Sequence, residues 1–256
     1  MCQQCDEQMQ SNAKTFDISR RSLIKIAGMS PFLIAGIGAS SMMTAAAGAD
    51  DAYPVPKPEN IMSPDTALVT LMKGNARYVQ GNINTNNAFK HAHIGLKDGQ
   101  NPYAIILSCS DSRVVPELCF DEDPGDLFVS RIAGNYVTID VLASIEYGAY
   151  VLKSPLVMVM GHSECGAIKA AIKAESDNTT FPGHIQAIAS NLSNAVRIGK
   201  QNGGNLTEEV VKANVKLNVA YLQQSTPIMR QLVQTNKVKI VGSIYDLKTG
   251  VVSLVS

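Results

Sequence analysis

Residues 156–166 read LVMVMGHSECG, five apolar side chains followed by a short polar turn. A continuous apolar run of this length is typical of a strand that is buried on both faces of a sheet. A helical pattern, Cys165–Ala174, follows the turn. The stretch therefore predicts a strand, a turn and a helix in succession, which is the repeating unit of an α/β fold.

The chain on both sides of this stretch repeats the same order. Two further apolar runs predict buried strands at Tyr103–Leu107 and Leu127–Val129, and the third strand is Leu156–Met160. Helical patterns fill the intervals, at about residues 140–152 and at about 183–233 with breaks near Gly203 and Pro227. Strands that alternate with helices predict a parallel sheet covered on both faces.

The two ends of the domain also carry recognisable patterns. Ser63 and Pro64 are suited to the N-cap and first position of a helix that ends at Gly81. The C-terminal segments 237–245 and 251–255 flank a turn and predict a β-hairpin. We therefore predict a single α/β domain over residues 63–256: a mainly parallel sheet flanked by helices, with an antiparallel C-terminal edge hairpin.

The overall composition excludes several classes of protein. The 256 residues have a formal net charge of zero, 45% hydrophobic residues and no tryptophan. This balance does not suit a nucleic-acid-binding surface or a disordered acidic tail, so we predict no nucleic-acid partner. The five cysteines are too few and too scattered for a disulfide scaffold.

The first 49 residues have the pattern of an export signal. Arg20 and Arg21 precede a modest apolar stretch, residues 26–47, and small residues follow around Ala47 and Ala49. A paired arginine before such a stretch predicts a twin-arginine signal that is cleaved near this point, and a periplasmic, lumenal or other extracytoplasmic location. The alternative is an uncleaved membrane anchor with the domain facing outside, because about 20 apolar residues can cross a bilayer.

Two shorter N-terminal features complete this region. Residues 50–62 are rich in Pro, Asp and Ala and predict a linker or an extended arm. Cys2 and Cys5 form a C-x-x-C pair that precedes the signal and has no matching second pair. We therefore predict that these two cysteines have no catalytic role.

The residues that carry chemistry follow two of the predicted strands. Residues 109–113, CSDSR, come directly after the first strand, and residues 161–166, GHSECG, come directly after the third. Ligands of open parallel sheets bind beyond the carboxyl ends of the strands, so the two motifs are expected to meet. Cys109, His162 and Cys165 would then form a Cys₂His set, which suits zinc and leaves a fourth position open for water.

Each of these residues alone has an ordinary explanation. A single cysteine after a strand is commonly a small buried apolar residue, and a single histidine is commonly a hydrogen-bonded structural residue. The occurrence of both motifs at equivalent strand ends, with Asp111 and Arg113 beside Cys109, favours the metal site.

Three segments resemble the β-carbonic anhydrase family: CSDSR at 109–113, RIAGN at 131–135 and GHSECGA at 161–167. They occur in the family's order and at its usual separations. FPGHI at 181–185 and GSIYD at 242–246 extend the similarity, which covers roughly residues 63–256. The resemblance implies reversible hydration of carbon dioxide to bicarbonate and a proton, and a homodimer or tetramer.

The resemblance also implies a role for each matching residue. Cys109, His162 and Cys165 would bind one zinc ion per subunit, and Asp111 and Arg113 would form a dyad beside it. Asp111 would accept a hydrogen bond from the nucleophile that zinc generates from water. In some members of the family this aspartate instead binds the zinc as a fourth ligand, and the sequence leaves both arrangements open.

Two other functions remain open at this point. The same site would suit a hydrolase of carbonyl sulfide or carbon disulfide, and the choice depends on an access tunnel that the sequence does not reveal. A non-catalytic sensor that binds zinc or bicarbonate is the second alternative. The intact pair of Asp111 and Arg113 argues against a sensor, because a structural zinc site is expected to close its fourth position.

The remaining candidates are weaker. His91 and His93 lie in a polar loop and are candidates for proton transfer, although exposed histidines commonly have no specific role. Structural roles are predicted for the others: packing for Cys119, a position near a helix start for His184, backbone shaping beside the site for Gly134 and Asn135, and contact with solvent or a partner subunit for Glu164.

Overall fold

The computed structural model describes residues 56–84 and 95–255. The predicted export signal, Cys2 and Cys5 lie outside the described residues, and so do His91 and His93. The described residues therefore do not test the predictions made for the signal, these two cysteines and these two histidines.

Five strands form one sheet in the order β2-β1-β3-β4-β5. The first four strands are parallel, and β5 is antiparallel to β4. This arrangement confirms the predicted fold class and the C-terminal edge hairpin. The bounds are β1 Ala104–Ser108, β2 Leu127–Arg131, β3 Leu156–His162, β4 Lys239–Tyr245 and β5 Val252–Val255.

Seven α-helices flank this sheet in the part of the chain that the structure describes. The first begins as predicted, because the Oγ of Ser63 accepts a hydrogen bond from the backbone N–H of Thr66 at 3.1 Å. It ends at Gly81, whose φ of 73° is in the left-handed region. The bounds are α1 Pro64–Gln80, α2 Pro116–Cys119, α3 Ile139–Glu146, α4 Gly166–Asp177, α5 Ile185–Asn202, α6 Leu206–Gln224 and α7 Ile228–Gln234.

Two elements near the site differ from the prediction: one strand is longer, and one short helix was not predicted. Strand β3 continues through His162, because Gly161 and His162 pair with residues Ile244 and Tyr245 of β4. The short helix α2 was missed, since four residues are too few to show a helical period. His162 is therefore the last residue of the central strand, paired there with β4, and does not lie in the turn after it.

The core lies on both faces of β3, whose seven residues are all buried. Met158 and Met160 face a cluster that includes Leu71 of α1, while Val157 and Val159 face a second cluster with residues of α3, α6 and α7. Each such side chain contributes about 1.5–3 kcal/mol when it is removed from water. The strand that ends in His162 is therefore held rigidly from both sides.

The segment before α1 is attached to the domain. The Nζ of Lys57 lies 2.6 Å from the Oδ2 of Asp126, and the Nδ2 of Asn60 donates to the Oδ1 of the same carboxylate at 2.8 Å. Residues 57–60 therefore pack on the folded unit, although they fall in the predicted linker 50–62. The domain boundaries stay a prediction. Across residues 56–84 and 95–255, no helix is both long and apolar enough to cross a membrane.

Candidate metal centre

The two motifs meet at the carboxyl edge of the sheet. Cys109 directly follows β1, His162 ends β3 and Cys165 directly precedes α4. The Sγ atoms and a ring nitrogen of His162 lie within 4.8 Å of one another, and all three residues are buried. Adjacent parallel strands thus bring together residues that are more than 50 positions apart in the sequence.

The backbone around His162 fixes the orientation of its ring. The Nδ1 of His162 lies 2.8 Å from the carbonyl oxygen of Ser163, which accepts its N–H. Ser163 is held in turn, because its Oγ accepts a hydrogen bond from the backbone N–H of Leu247 at 2.9 Å. This tautomer leaves the Nε2 with a free lone pair. That buried nitrogen has no hydrogen-bond partner among the described residues, as expected for a metal ligand.

The two cysteines are placed for a metal and not for a disulfide. Their Sγ atoms are 4.0 Å apart, whereas a disulfide requires about 2.05 Å. Two thiolates on one tetrahedral zinc, with bonds of about 2.3 Å, would lie roughly 3.8 Å apart. The observed separation therefore fits a shared zinc ion.

The charge on the two sulfurs is unequal. The thiol of Cys165 hydrogen-bonds the sulfur of Cys109 and, with help from the Gly134 N–H, lowers the pKa of Cys109 to about 4. The thiolate of Cys109, together with burial, raises the pKa of Cys165. One proton is thus shared by the pair, and a bound dication would displace it.

Asp111 and Arg113 form a two-pronged ion pair beside the ligand set. The Nε and Nη2 of Arg113 donate to the two carboxylate oxygens at 2.9 and 2.7 Å, and the Arg113 backbone N–H donates to Oδ1 at 3.0 Å. The Oδ2 of Asp111 lies 3.9 Å from the Nε2 of His162. The guanidinium of Arg113 holds the pKa of Asp111 well below its usual range, so the carboxylate is ionised.

Arg131 is a residue of this site whose role the sequence did not reveal. Its Nε donates to the carbonyl oxygen of Cys109 at 2.9 Å, and its Nη2 donates to that of Asp111 at 2.7 Å. Arg131 ends β2 beside Ser108, the last residue of β1. It therefore fixes the backbone of the loop that carries both a ligand and the carboxylate. Its place at the start of RIAGN was visible, but not its hydrogen bonds.

The other candidates lie where they were expected. Gly134 and Asn135 have φ values of 88° and 40° at the site, and Cys119 is buried in the core. Glu164 is exposed and pairs with Lys169, and the exposed His184 directly precedes α5. None of these side chains joins the three-residue ligand group.

Comparison with known proteins identifies the family. The family model described as carbonic anhydrase matches residues 104–252, which contain both motifs. The chain belongs to the carbonic anhydrase family. It is 35% identical over 188 residues to carbonic anhydrase 2 of Mycobacterium tuberculosis, covering 73% of this chain and 91% of that protein. It is 35% identical over 192 residues to a carbonic anhydrase of Mycolicibacterium smegmatis, covering 75% and 93%.

Solved structures narrow the class of carbonic anhydrase. The β-carbonic anhydrase CcaA aligns with a TM-score of 0.59 and 27% identity, over 73% of this chain and 94% of that one. The Coccomyxa β-carbonic anhydrase, solved with acetazolamide, aligns with a TM-score of 0.56 and 25% identity, over 73% and 85%. The chain is therefore a member of the β class. β-Carbonic anhydrases use zinc, and the Cys₂His group of this member suits that ion.

Proposed function

We propose that this protein catalyses the zinc-dependent, reversible hydration of carbon dioxide to bicarbonate and a proton. Cys109, His162 and Cys165 would hold the zinc. One observation carries the proposal. A buried Cys₂His group, in which the histidine Nε2 has no hydrogen-bond partner, lies beside the ionised carboxylate of Asp111, which is hydrogen-bonded by Arg113. The ligand group supports a metal, and the Asp111 carboxylate supports catalysis at that metal.

Each side chain at this site has its own proposed role. When bound, zinc supplies a Lewis acid that generates a nucleophile from water near neutral pH. Asp111 would accept a hydrogen bond at this position and so orient the attacking oxygen toward carbon dioxide. Arg113 occupies both carboxylate oxygens, which favours this accepting role over direct binding of Asp111 to the zinc. His91 and His93 remain predicted candidates for moving the released proton.

The alternatives have less support. The relatives reported above are named carbonic anhydrases, which favours hydration over hydrolysis of carbonyl sulfide or carbon disulfide. A non-catalytic sensor has no need of a carboxylate held ionised beside the metal. No separate observation favours either of them.

The test is stopped-flow hydration of carbon dioxide by the protein lacking residues 1–49. We expect a fast rate that a zinc chelator reduces to the uncatalysed background and that added zinc restores. Added magnesium serves as the control and should restore nothing, since it prefers oxygen ligands. A rate that is absent in the zinc-loaded protein, or that a chelator leaves unchanged, would overturn the proposal.

We also propose that the chain is exported through a twin-arginine signal in residues 1–49. The support is Arg20 and Arg21 before a modest apolar stretch and a small-residue cleavage pattern. The double change Arg20→Lys and Arg21→Lys is expected to retain the protein inside the cell, as measured by fractionation and immunoblotting. Lys25→Arg, which leaves the pair intact, should export normally. Unchanged export of the double variant would contradict the proposal.

The oligomeric state is a further proposal. The family resemblance favours a homodimer or tetramer, and several large apolar side chains are exposed on the chain. Examples are Ile139, Tyr150 and Val151, each more than half exposed. Sedimentation analysis of the zinc-loaded protein would measure the assembly, and a monomer at micromolar concentration would exclude it.

A further inference from the structure

Helix α6 carries two asparagines on the face that it buries. Asn214 and Asn218 are 3% and 8% exposed, and they lie one helical turn apart. Their neighbours on this face include Val211 and Val215. A buried amide without hydrogen bonds costs free energy, so two amides on an apolar helix face require a reason.

The hydrogen bonds of both amides lead to one loop, residues 134–137. The Nδ2 of Asn214 donates to the carbonyl oxygen of Gly134 at 2.8 Å. The Oδ1 of Asn218 accepts the backbone N–H of Val137 at 2.7 Å. The Nδ2 of Asn218 donates to the Oδ1 of Asn214 at 3.0 Å and so connects the two side chains. The asparagines therefore clamp both ends of the loop onto the helix.

This loop directly contacts a predicted zinc ligand. The backbone N–H of Gly134 donates to the Sγ of Cys109 at 3.3 Å. Gly134 has a φ of 88°, and a Cβ at this position would lie 2.9 Å from the Cδ1 of Leu192. Gly134 is thus tightly enclosed. Asn214 fixes the carbonyl group of Gly134, and the N–H of Gly134 points at the Cys109 sulfur.

We infer that Asn214 and Asn218 are positioning residues that set the charge which Cys109 presents to the metal. A hydrogen bond to a thiolate withdraws negative charge from the sulfur, so less charge reaches the bound zinc and the ion remains a stronger Lewis acid. This inference rests on the proposed zinc site. It adds that helix α6, which contains neither the 109–113 motif nor the 161–166 motif, sets how strong a Lewis acid the bound zinc is.

The test compares Asn214→Ala with Asn75→Ala, a matched control. Asn75 is also a buried asparagine, 4% exposed, and it hydrogen-bonds the backbone of Cys119, Gly250 and Val252. None of these is a candidate ligand, so the control loses buried hydrogen bonds without touching the metal site. Two quantities are measured for each protein: the zinc Kd by chelator competition, and the energy of the sulfur-to-metal charge-transfer band after substitution with cobalt.

We expect Asn214→Ala to weaken zinc binding by about 10–100-fold, because the released loop no longer holds the Cys109 sulfur in position and this loss outweighs the stronger donation by the sulfur. Its cobalt band should move to longer wavelength, because a sulfur without its hydrogen bond gives up an electron more easily. Asn75→Ala should be less stable than the wild type and keep both values. Asn218→Ala removes the hydrogen bonds of the Asn218 side chain to Asn214 and Val137. If Asn214→Ala does not fold, the same two quantities are measured on Asn218→Ala.

A folded Asn214 or Asn218 variant with the wild-type zinc Kd and cobalt band would overturn the inference. Equal changes in the Asn75 variant would also overturn it, since they would reflect general destabilisation. The outcome for the proposed function is separate. Wild-type protein that binds neither zinc nor cobalt through its cysteines would contradict the zinc site itself.

Discussion

The variant His162→Ala is expected to lose its zinc and more than 99% of its turnover. The imidazole is fully buried, and its Nε2 is the nitrogen donor in the three-residue group. Loss of outer-shell partners of metal ligands typically costs about 10–100-fold, so loss of a ligand should cost more than about 100-fold. Two cysteines alone would leave a site with only half of the tetrahedral positions filled by protein.

The measurement is zinc content after dialysis, together with stopped-flow hydration. His184→Ala is the matched control, because His184 is the other histidine among residues 56–84 and 95–255, and its side chain makes no capping hydrogen bond to α5. We expect the control to match the wild type in both assays. Stoichiometric zinc in dialysed His162→Ala would show that another residue holds the metal.

The variant Asp111→Asn is expected to keep its zinc and lose about 10–100-fold in turnover, the range typical of residues that act beside a metal. The substitution preserves volume but replaces one accepting oxygen with a donating NH₂ group. The amide can no longer accept two hydrogen bonds from Arg113 as the carboxylate does. The amide would also present an uncharged group to the nucleophile. In one of its two orientations, that group would be the hydrogen-bond donor NH₂.

Glu164→Gln is the control for this change. Glu164 lies between two ligands in the sequence, but it is exposed and pairs with Lys169. The same carboxylate-to-amide change should therefore leave turnover at the wild-type level. Two results would contradict the role of Asp111: unchanged turnover in Asp111→Asn, or loss of zinc, which would make Asp111 a metal ligand.

The sequence predicted the fold class because its signals are local. Apolar runs of about five residues, with helical patterns between them, are typical of a buried parallel sheet. Ser63 also predicted the start of α1 correctly, since a helix N-cap depends on residues within one turn. The four-residue helix α2 was missed because a single turn has no measurable period.

The same local logic placed the candidate ligands at one edge of the sheet. Strand ends are visible in a sequence, and the carboxyl ends of parallel strands lie together in any sheet of this kind. Cys109 and residues 162–165 are therefore expected at the same edge of the sheet. The pairing of Asp111 with Arg113 came instead from the resemblance to the β-carbonic anhydrases, which the CSDSR segment carries.

Only the tertiary structure decided what surrounds those residues. Arg131 reaches the Cys109 carbonyl because β1 and β2 are adjacent, and Asn214 reaches Gly134 because α6 crosses the end of the sheet. These contacts join positions 22 and 80 residues apart, and no periodicity or spacing encodes them. The sequence alone thus determined which atoms can bind zinc, because ligand chemistry belongs to residue types. The packing of distant elements decided how those atoms are oriented and charged, because hydrogen bonds depend on positions in space.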